Sequence, residues 1–374
     1  SSTLTEKKLL KARVRDRMAR TGESYTTAHR HVVSGGSTTG VPGVVAGYAG
    51  FNDHTHRPSA LASRMLIQAG CDVSETTACG LGGGIGFMYA VFEYKAVDHP
   101  LLTIVTQHHP TPWVDAVATH LGVAPTRVTS SSQGPAFTKV RAALEAGRPV
   151  LIQVARGLLP WHEDVPAAEA ADPHGLLLTG FEGGDLVVLD CDEHRIGQDE
   201  LAVAWAAHRK GRFAVTTLPE ARPQNVEAAA ERAIATTYAH LTGPVLGHAF
   251  DVNFGLSGIA RLRDDLSDTS TKRAWSRRFG TDHAFEVARV RLAECLTWAH
   301  GSEGATRLVY ADFLTETGHA AAASLARKAG AQWTGIADLA AAEADPTTAI
   351  PELADRVAQV WGVERELAAA LAKS

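Results

Sequence analysis

Apolar positions along the chain change their spacing several times, and each change marks an element. Leu9, Leu10, Val14 and Met18 recur at helical spacing inside a basic segment, 5–31, that carries Lys7, Lys8, Lys11, Arg13, Arg15, Arg17, Arg20 and Arg30. This reads as an amphipathic arm: either a solvated face or a docking surface for an acidic partner. Ser34-Gly-Gly-Ser-Thr-Thr-Gly40 reads as a linker. A helical pattern opens at Pro58 and Ser59, runs through Leu61, Met65 and Leu66, and closes at Gly70. A second helix start falls at Ser74-Glu75, ahead of the glycine-rich run Gly80–Gly86 and the aromatic Phe87-Met-Tyr89. Leu101–Thr106 reads as a buried strand, Trp113–Leu121 and Phe137–Ala146 as helices.

Strand patterns then dominate. Pro149–Val154 and Gly175–Phe181 are strands, Glu182-Gly-Gly-Asp185 is a hairpin turn, and Leu186–Leu189 is the return strand. Phe213–Leu218 reads as a final strand. Beyond Pro223 the composition turns Ala-rich and helical through Ala372, so a boundary is expected near 219–225. The expected organisation is an arm and linker over 1–43, a mixed domain over 44–222 and a mainly helical domain over 223–374. The fold class is α+β.

Composition narrows the function classes. The chain has 374 residues, 45% hydrophobic, and a formal net charge of −5, which argues against a nucleic-acid binder. Cys71, Cys79, Cys191 and Cys295 form no CxxC pair, which fits a reducing compartment. No apolar run approaches the roughly 18 residues of a membrane span. Nothing at the start reads as a signal peptide, so a cytoplasmic location is expected.

The chemistry-bearing pattern is Pro173-His174 at the start of one strand and Asp190 at the end of its hairpin partner. The hairpin brings the two ends side by side, so Asp190 can orient the imidazole of His174 as in Cys-His-Asp sites. The glycine run lacks the Gly-Lys-Ser/Thr ending of a phosphate loop, since Phe87-Met88 follows, and no convincing strand precedes it. Gly83 and Gly84 read as close backbone packing or a pocket wall. His54-Thr-His56, joined by His174, offers metal ligands but no complete set, so no metal or cofactor is expected. His108-His109 before Pro110 reads as surface loop. His162, Glu163 and Asp164 read as cleft lining or solvated loop. Glu294, Cys295 and Trp298 read as packing, and Arg307, Tyr310 and Phe313 as one helix face against the other domain.

Three blocks carry a resemblance: His56 through Glu75 continuing into Gly80–Tyr89; Gly147-Arg-Pro-Val150 with Leu159-Pro-Trp161, His174 and Asp190; and Gly304-Ala-Thr-Arg-Leu-Val-Tyr-Ala-Asp-Phe-Leu314. In these the chain resembles the family of the butirosin-biosynthesis acyltransferase N-terminal domain, followed by the helical domain that accompanies it. The resemblance implies a papain-like, cysteine-peptidase-related N-terminal domain. It also implies transfer of an acyl group from a carrier-protein thioester to an amine, with Trp161 near the active site. The family's His-Cys pair falls on His56-Arg57, and arginine is no acyl nucleophile. Thr55 or Ser59 are the hydroxyls within reach of a shifted register, and Ser59 also suits a helix start. Cys71 and Cys79 lie too far along, and Cys79 reads as a small core residue.

Two readings follow. In the first, the chain is an acyltransferase-like enzyme of secondary metabolism. His174, Asp190 and Ser59 are its catalytic groups, and His56, Arg57, Gly83, Gly84 and Trp161 contact substrate. Alternatively His174 serves as base for direct amine attack, with Arg57 as an anion contact. Its partners would be an acyl carrier protein, docked on the basic arm, and a small-molecule amine. In the second, the chain is an inactive descendant that binds a small molecule or peptide in the old cleft. A His-based metal-dependent enzyme stands as a further alternative. Homo-oligomerisation through the helical domain is open.

Overall fold

The structure, a computed structural model, describes residues 55–374 except 96, 164, 166–168, 171 and 221–224. The basic arm, the linker, His54 of the His-Thr-His pair and Asp164 lie outside the described residues. In chain order the first elements are α1 (Arg57–Gln68), α2 (Glu75–Leu81), β1 (Ile85–Phe92), β2 (Leu101–Gln107), α3 (Trp113–His120), β3 (Thr126–Val128), α4 (Gln133–Glu145) and β4 (Val150–Ala155). Next come β5 (Pro173–Glu182), β6 (Asp185–Leu189), β7 (Glu193–Ile196), α5 (Gln198–Ala207) and β8 (Val215–Thr217). The remainder is helical: α6 (Val226–Thr242), α7 (Gly255–Ser267), α8 (Trp275–Arg278), α9 (Asp282–Thr297), α10 (Arg307–Glu316), α11 (Ala320–Ala341) and α12 (Pro346–Leu371). This is the expected mixture of a sheet-bearing part and a helical C-terminal half. Among the described residues, no helix is long and apolar enough to cross a membrane.

The division expected at residue 222 is linear, whereas the compact units interleave along the chain. One unit holds Ser63–Asp72 and Pro125–Pro223; the other holds His54–Ala62, Val73–Ala124 and Gln224–Ser374. The cut passes through α1, between Ala62 and Ser63.

The first unit is built on a six-stranded sheet in the order β3-β8-β4-β5-β6-β7, every neighbouring pair antiparallel. Its inner strands are apolar runs: Val150, Ile152 and Val154 on β4, and Leu176, Leu177 and Leu178 on β5, are all buried. Burying each such side chain stabilises the unit by about 1.5–3 kcal/mol. Phe137 of α4 meets Trp205 of α5 edge-on, 5.3 Å between ring centroids. The β5–β6 turn falls on Gly183 and Gly184, with φ of 60° and 97°. A two-residue hairpin loop of this hand needs positive φ at both positions, which glycine supplies without strain. Strands β3 and β7 and helix α5 were not legible beforehand: the strands are three and four residues long, and α5 carries no clear apolar stripe.

The second unit packs helices around the hairpin β1–β2. The aromatic segment Phe87–Tyr89, left without an assigned element by its spacing, is part of β1, which runs antiparallel to β2. Phe87, Tyr89 and Ile104 share a core with Leu262, Trp275 and Trp333. The Tyr89 hydroxyl donates to Asp265 Oδ2 at 3.0 Å and accepts from the Trp275 indole at 3.1 Å. Ser74 caps α2, its hydroxyl accepting from the Thr77 amide at 3.0 Å. Ser74→Ala is expected to cost about 1 kcal/mol, measurable as a lower urea midpoint with an unchanged m-value.

Two local expectations change. His108 is buried rather than in a surface loop, because β2 carries it inward and its amide donates to Gly84 O at 3.2 Å. Trp298 is 54% exposed: it follows the last residue of α9, so the helix no longer aims it at the core. As expected, Arg307, Tyr310 and Phe313 are buried as one helix face against the segment 44–222, with Phe313 on Gly80 and Tyr310 on Gly84. The Arg307 guanidinium donates to Gly86 O at 2.8 Å and Thr106 O at 2.9 Å, at the adjoining ends of β1 and β2.

Candidate active site

In the first unit the antiparallel register sets Leu177 opposite Leu189, so the chain returns Asp190 to the level of Leu176, two residues from His174. The Asp190 carboxylate is fully buried and is met by three side-chain donors among the described residues. His174 Nε2 lies 2.8 Å from Oδ1, His162 Nε2 lies 2.6 Å from Oδ2, and the Trp161 indole donates to Oδ2 at 2.9 Å. An ionised carboxylate only accepts, so both imidazoles donate from Nε2. Each neutral ring then carries its lone pair on Nδ1. On His162 that nitrogen accepts from Arg156 Nε at 3.4 Å, and Arg156 Nη1 lies 3.6 Å from Glu169 Oε2. The two imidazoles meet edge to face with centroids 4.9 Å apart, and their side chains are 13% and 12% exposed. They stand at the boundary between a buried carboxylate and solvent.

Trp161 is held flat against His194 of β7, with centroids 4.1 Å apart and planes 3° off parallel. Burial shifts the His194 imidazole below its ordinary pKa. The structure therefore brings together His174, Asp190 and Trp161 as read from the sequence, and adds His162 and His194. His162, for which cleft lining is one of the two readings the sequence allows, hydrogen-bonds Asp190 directly. His194 became visible only through strand pairing, which sets it opposite Val188.

Ser59, His56, Arg57, Gly83 and Gly84 belong to the second unit. His56 is fully buried, with its Nδ1 at 2.6 Å from Ser59 Oγ and its Nε2 at 2.5 Å from Gln107 Oε1. With Oε1 of Gln107 accepting, Nε2 carries the ring proton and Ser59 donates to Nδ1. Glu75 Oε1 accepts from the backbone amides of Thr55, at 2.7 Å, and His56. Trp113 closes over the ring, edge-on, at 4.8 Å. A hydroxyl, an imidazole and an orienting amide thus stand at the spacing of a nucleophile–base–orienter set. Both Ser59 and His56 have no exposed surface, so the set works here as an internal tie for the entry to α1. Arg57, partly exposed, is the first residue of that helix.

Cys79 also contacts Ser59; burial pushes its thiol up to about 12, which suits an inert core residue. The glycine run is a packing device. A Cβ on Gly82 would meet the Trp113 ring, on Gly83 the His108 ring and on Gly84 the Tyr310 ring. Gly84 also has φ +58°, so this position excludes a side chain twice over.

Residues 56–191 match the family model described as Butirosin biosynthesis protein H, N-terminal. The match bears out the resemblance over the first two residue blocks, spanning the segment from His56 through His174 to Asp190; the third block, Gly304–Leu314, lies outside it. No curated protein matches the chain. A crystal structure titled as a C39-like peptidase from Bacillus anthracis aligns at 15% identity and a TM-score of 0.32, covering 48% of this chain and 98% of that one.

Proposed function

We propose that the chain transfers an acyl group from a carrier-protein thioester to a small-molecule amine in a biosynthetic pathway, with His174 as general base. The observation that carries this reading is the 2.8 Å hydrogen bond between His174 Nε2 and the fully buried Asp190. It holds the ring in the tautomer whose Nδ1 is basic, and the carboxylate stabilises the imidazolium that forms on proton uptake. The family match supports the biosynthetic setting, and a papain-like fold of the matched segment belongs to the same proposal.

No covalent intermediate is needed. The amine nitrogen attacks the thioester carbonyl, forming the C–N bond, and its proton passes to His174 Nδ1. The tetrahedral species then breaks its C–S bond, and the departing thiolate takes the proton back from the imidazolium. Full burial of Ser59 and its bond to His56 favour this direct route over a seryl intermediate. The basic arm supplies charge complementary to an acidic carrier protein.

The test measures release of carrier thiol from a panel of acyl-carrier thioesters with amine acceptors, alongside intact-mass analysis. His174→Ala and Asp190→Asn are each expected to lower kcat by about 10²–10⁴-fold, whereas Ser59→Ala retains turnover and no acyl adduct accumulates. A stable adduct that disappears in Ser59→Ala would replace the direct route with a covalent one. Absence of turnover across the panel, with tight binding of an unmodified ligand, would make the chain a binding protein.

A further inference from the structure

We propose that His162, His174 and Asp190 form a binding site for a divalent transition-metal ion of the zinc class. Two imidazole nitrogens converge on the two oxygens of one carboxylate, and the donor atoms of the three residues lie within 4.8 Å of one another. Two histidines and a carboxylate are a ligand set that zinc accepts, and three protein ligands leave a coordination position open.

The present N···O separations are 2.6 and 2.8 Å, which suit a shared proton. An ion bonded at about 2.0–2.2 Å to each ligand needs N···O separations of about 3.0–3.4 Å. Small rotations of the two imidazoles, both partly exposed, open that space while Asp190 stays fixed. The Trp161 indole, donating to Oδ2 at 2.9 Å, supplies the outer hydrogen bond that orients a ligating carboxylate.

The ion and the proton compete for the same nitrogens. Binding through Nε2 moves the remaining ring proton of each histidine to Nδ1. On His162 that proton would face Arg156 Nε, a second donor, so Arg156 must turn away. Glu169, already 3.6 Å from Arg156 Nη1, offers it a partner. Arg156 therefore opposes the ion, both through its charge and through the tautomer it favours. A bound ion would also withdraw His174 from the base role proposed above, so the metal acts as an inhibitor of that chemistry. The site itself does not depend on that role.

The experiment is a Co²⁺ titration of the full chain followed by visible absorption, with Zn²⁺ displacement by calorimetry; it needs no acyl donor. We expect one ion per chain, with affinity at least about tenfold weaker in His162→Ala and in His174→Ala, and tighter in Arg156→Gln. His99→Ala and His283→Ala are expected to change nothing, although those two residues and Asp98 form a second, more exposed cluster of metal-capable groups. Absence of an absorption band, binding unchanged in His162→Ala, or binding lost in His99→Ala would each overturn the proposal. If the Co²⁺ titration succeeds while thioester turnover is absent, the metal site stands and the acyl-transfer reading falls.

Discussion

Replacing Arg307 with methionine is expected to destabilise the second unit by about 3–5 kcal/mol. Arg307 is one of the largest fully buried side chains, and its partner Glu364 is also fully buried. The guanidinium meets the carboxylate in a fork, Nε to Oε1 at 2.7 Å and Nη2 to Oε2 at 3.1 Å. Nη1 donates to the carbonyls of Gly86, Thr106 and Ala305 at 2.8–2.9 Å. One side chain thus joins the hairpin β1–β2, the start of α10 and the last helix. Methionine fills much of the volume but leaves a buried carboxylate with the Trp333 indole, at 2.8 Å, as its donor. Three carbonyls also lose a charged donor. Lysine would not rescue the site, because a point charge cannot span a fork and three carbonyls together. Thermal unfolding should report a fall in Tm on the order of 10 °C. The double variant Arg307→Met, Glu364→Leu should recover part of the loss, since removing both charges spares the desolvation of the survivor. An unchanged Tm in Arg307→Met would show that the pair contributes nothing net.

Lowering the pH from 7 to 5 is expected to remove about 4 kcal/mol from the same unit. His108 and His240 are both buried, with ring centroids 4.3 Å apart. Burial pushes His108 down to about 3, helped by the neighbouring His240, His120 and His109. Burial likewise pushes His240 down to about 4, with the His109 backbone and Asp251 pulling the other way. In the unfolded chain both titrate near 6.5, so below that pH the unfolded state binds more protons than the native state. Stability is therefore complete above 6.5 and falls as the pH drops, by about 1.4 kcal/mol per unit for each histidine, until the native values are reached. At pH 5 this amounts to about 2 kcal/mol each. Urea denaturation at pH 7 and pH 5 measures the difference, and His240→Phe should remove about half of it. A difference that survives His240→Phe intact would assign the acid sensitivity to other groups.

Residues that act through short-range rules were legible in the chain. The hairpin Gly175–Leu189 announces itself through two apolar runs around Gly183-Gly184, and its register alone brings His174 to Asp190. Ser74 before Glu75 marks a helix start by the chemistry of capping. The glycines between Gly80 and Gly86 were readable as close packing, but not what they pack against: Phe313, Trp113, His108 and Tyr310 come from two other segments. His162 illustrates the limit at the candidate site. It lies in an irregular segment next to Trp161, and nothing in its neighbours separates a ligand of Asp190 from a solvated loop. Arg307 illustrates it in the core, since a charged residue on a helix is ordinarily a surface residue, and the partner that permits its burial lies 57 positions on.

The sequence by itself determined the order of strand-rich and helical segments and the His174–Asp190 pairing. Each of these follows from residue type and spacing within a few tens of residues. Tertiary structure decided the rest. It placed Val73–Ala124 in a unit with the C-terminal helices, buried Ser59 and His56 as an internal tie, and gathered His162 and His174 onto one carboxylate. The physical reason is that burial and hydrogen-bond partnership depend on which distant surfaces meet, and one-dimensional periodicity shows only that a surface is apolar, not what covers it.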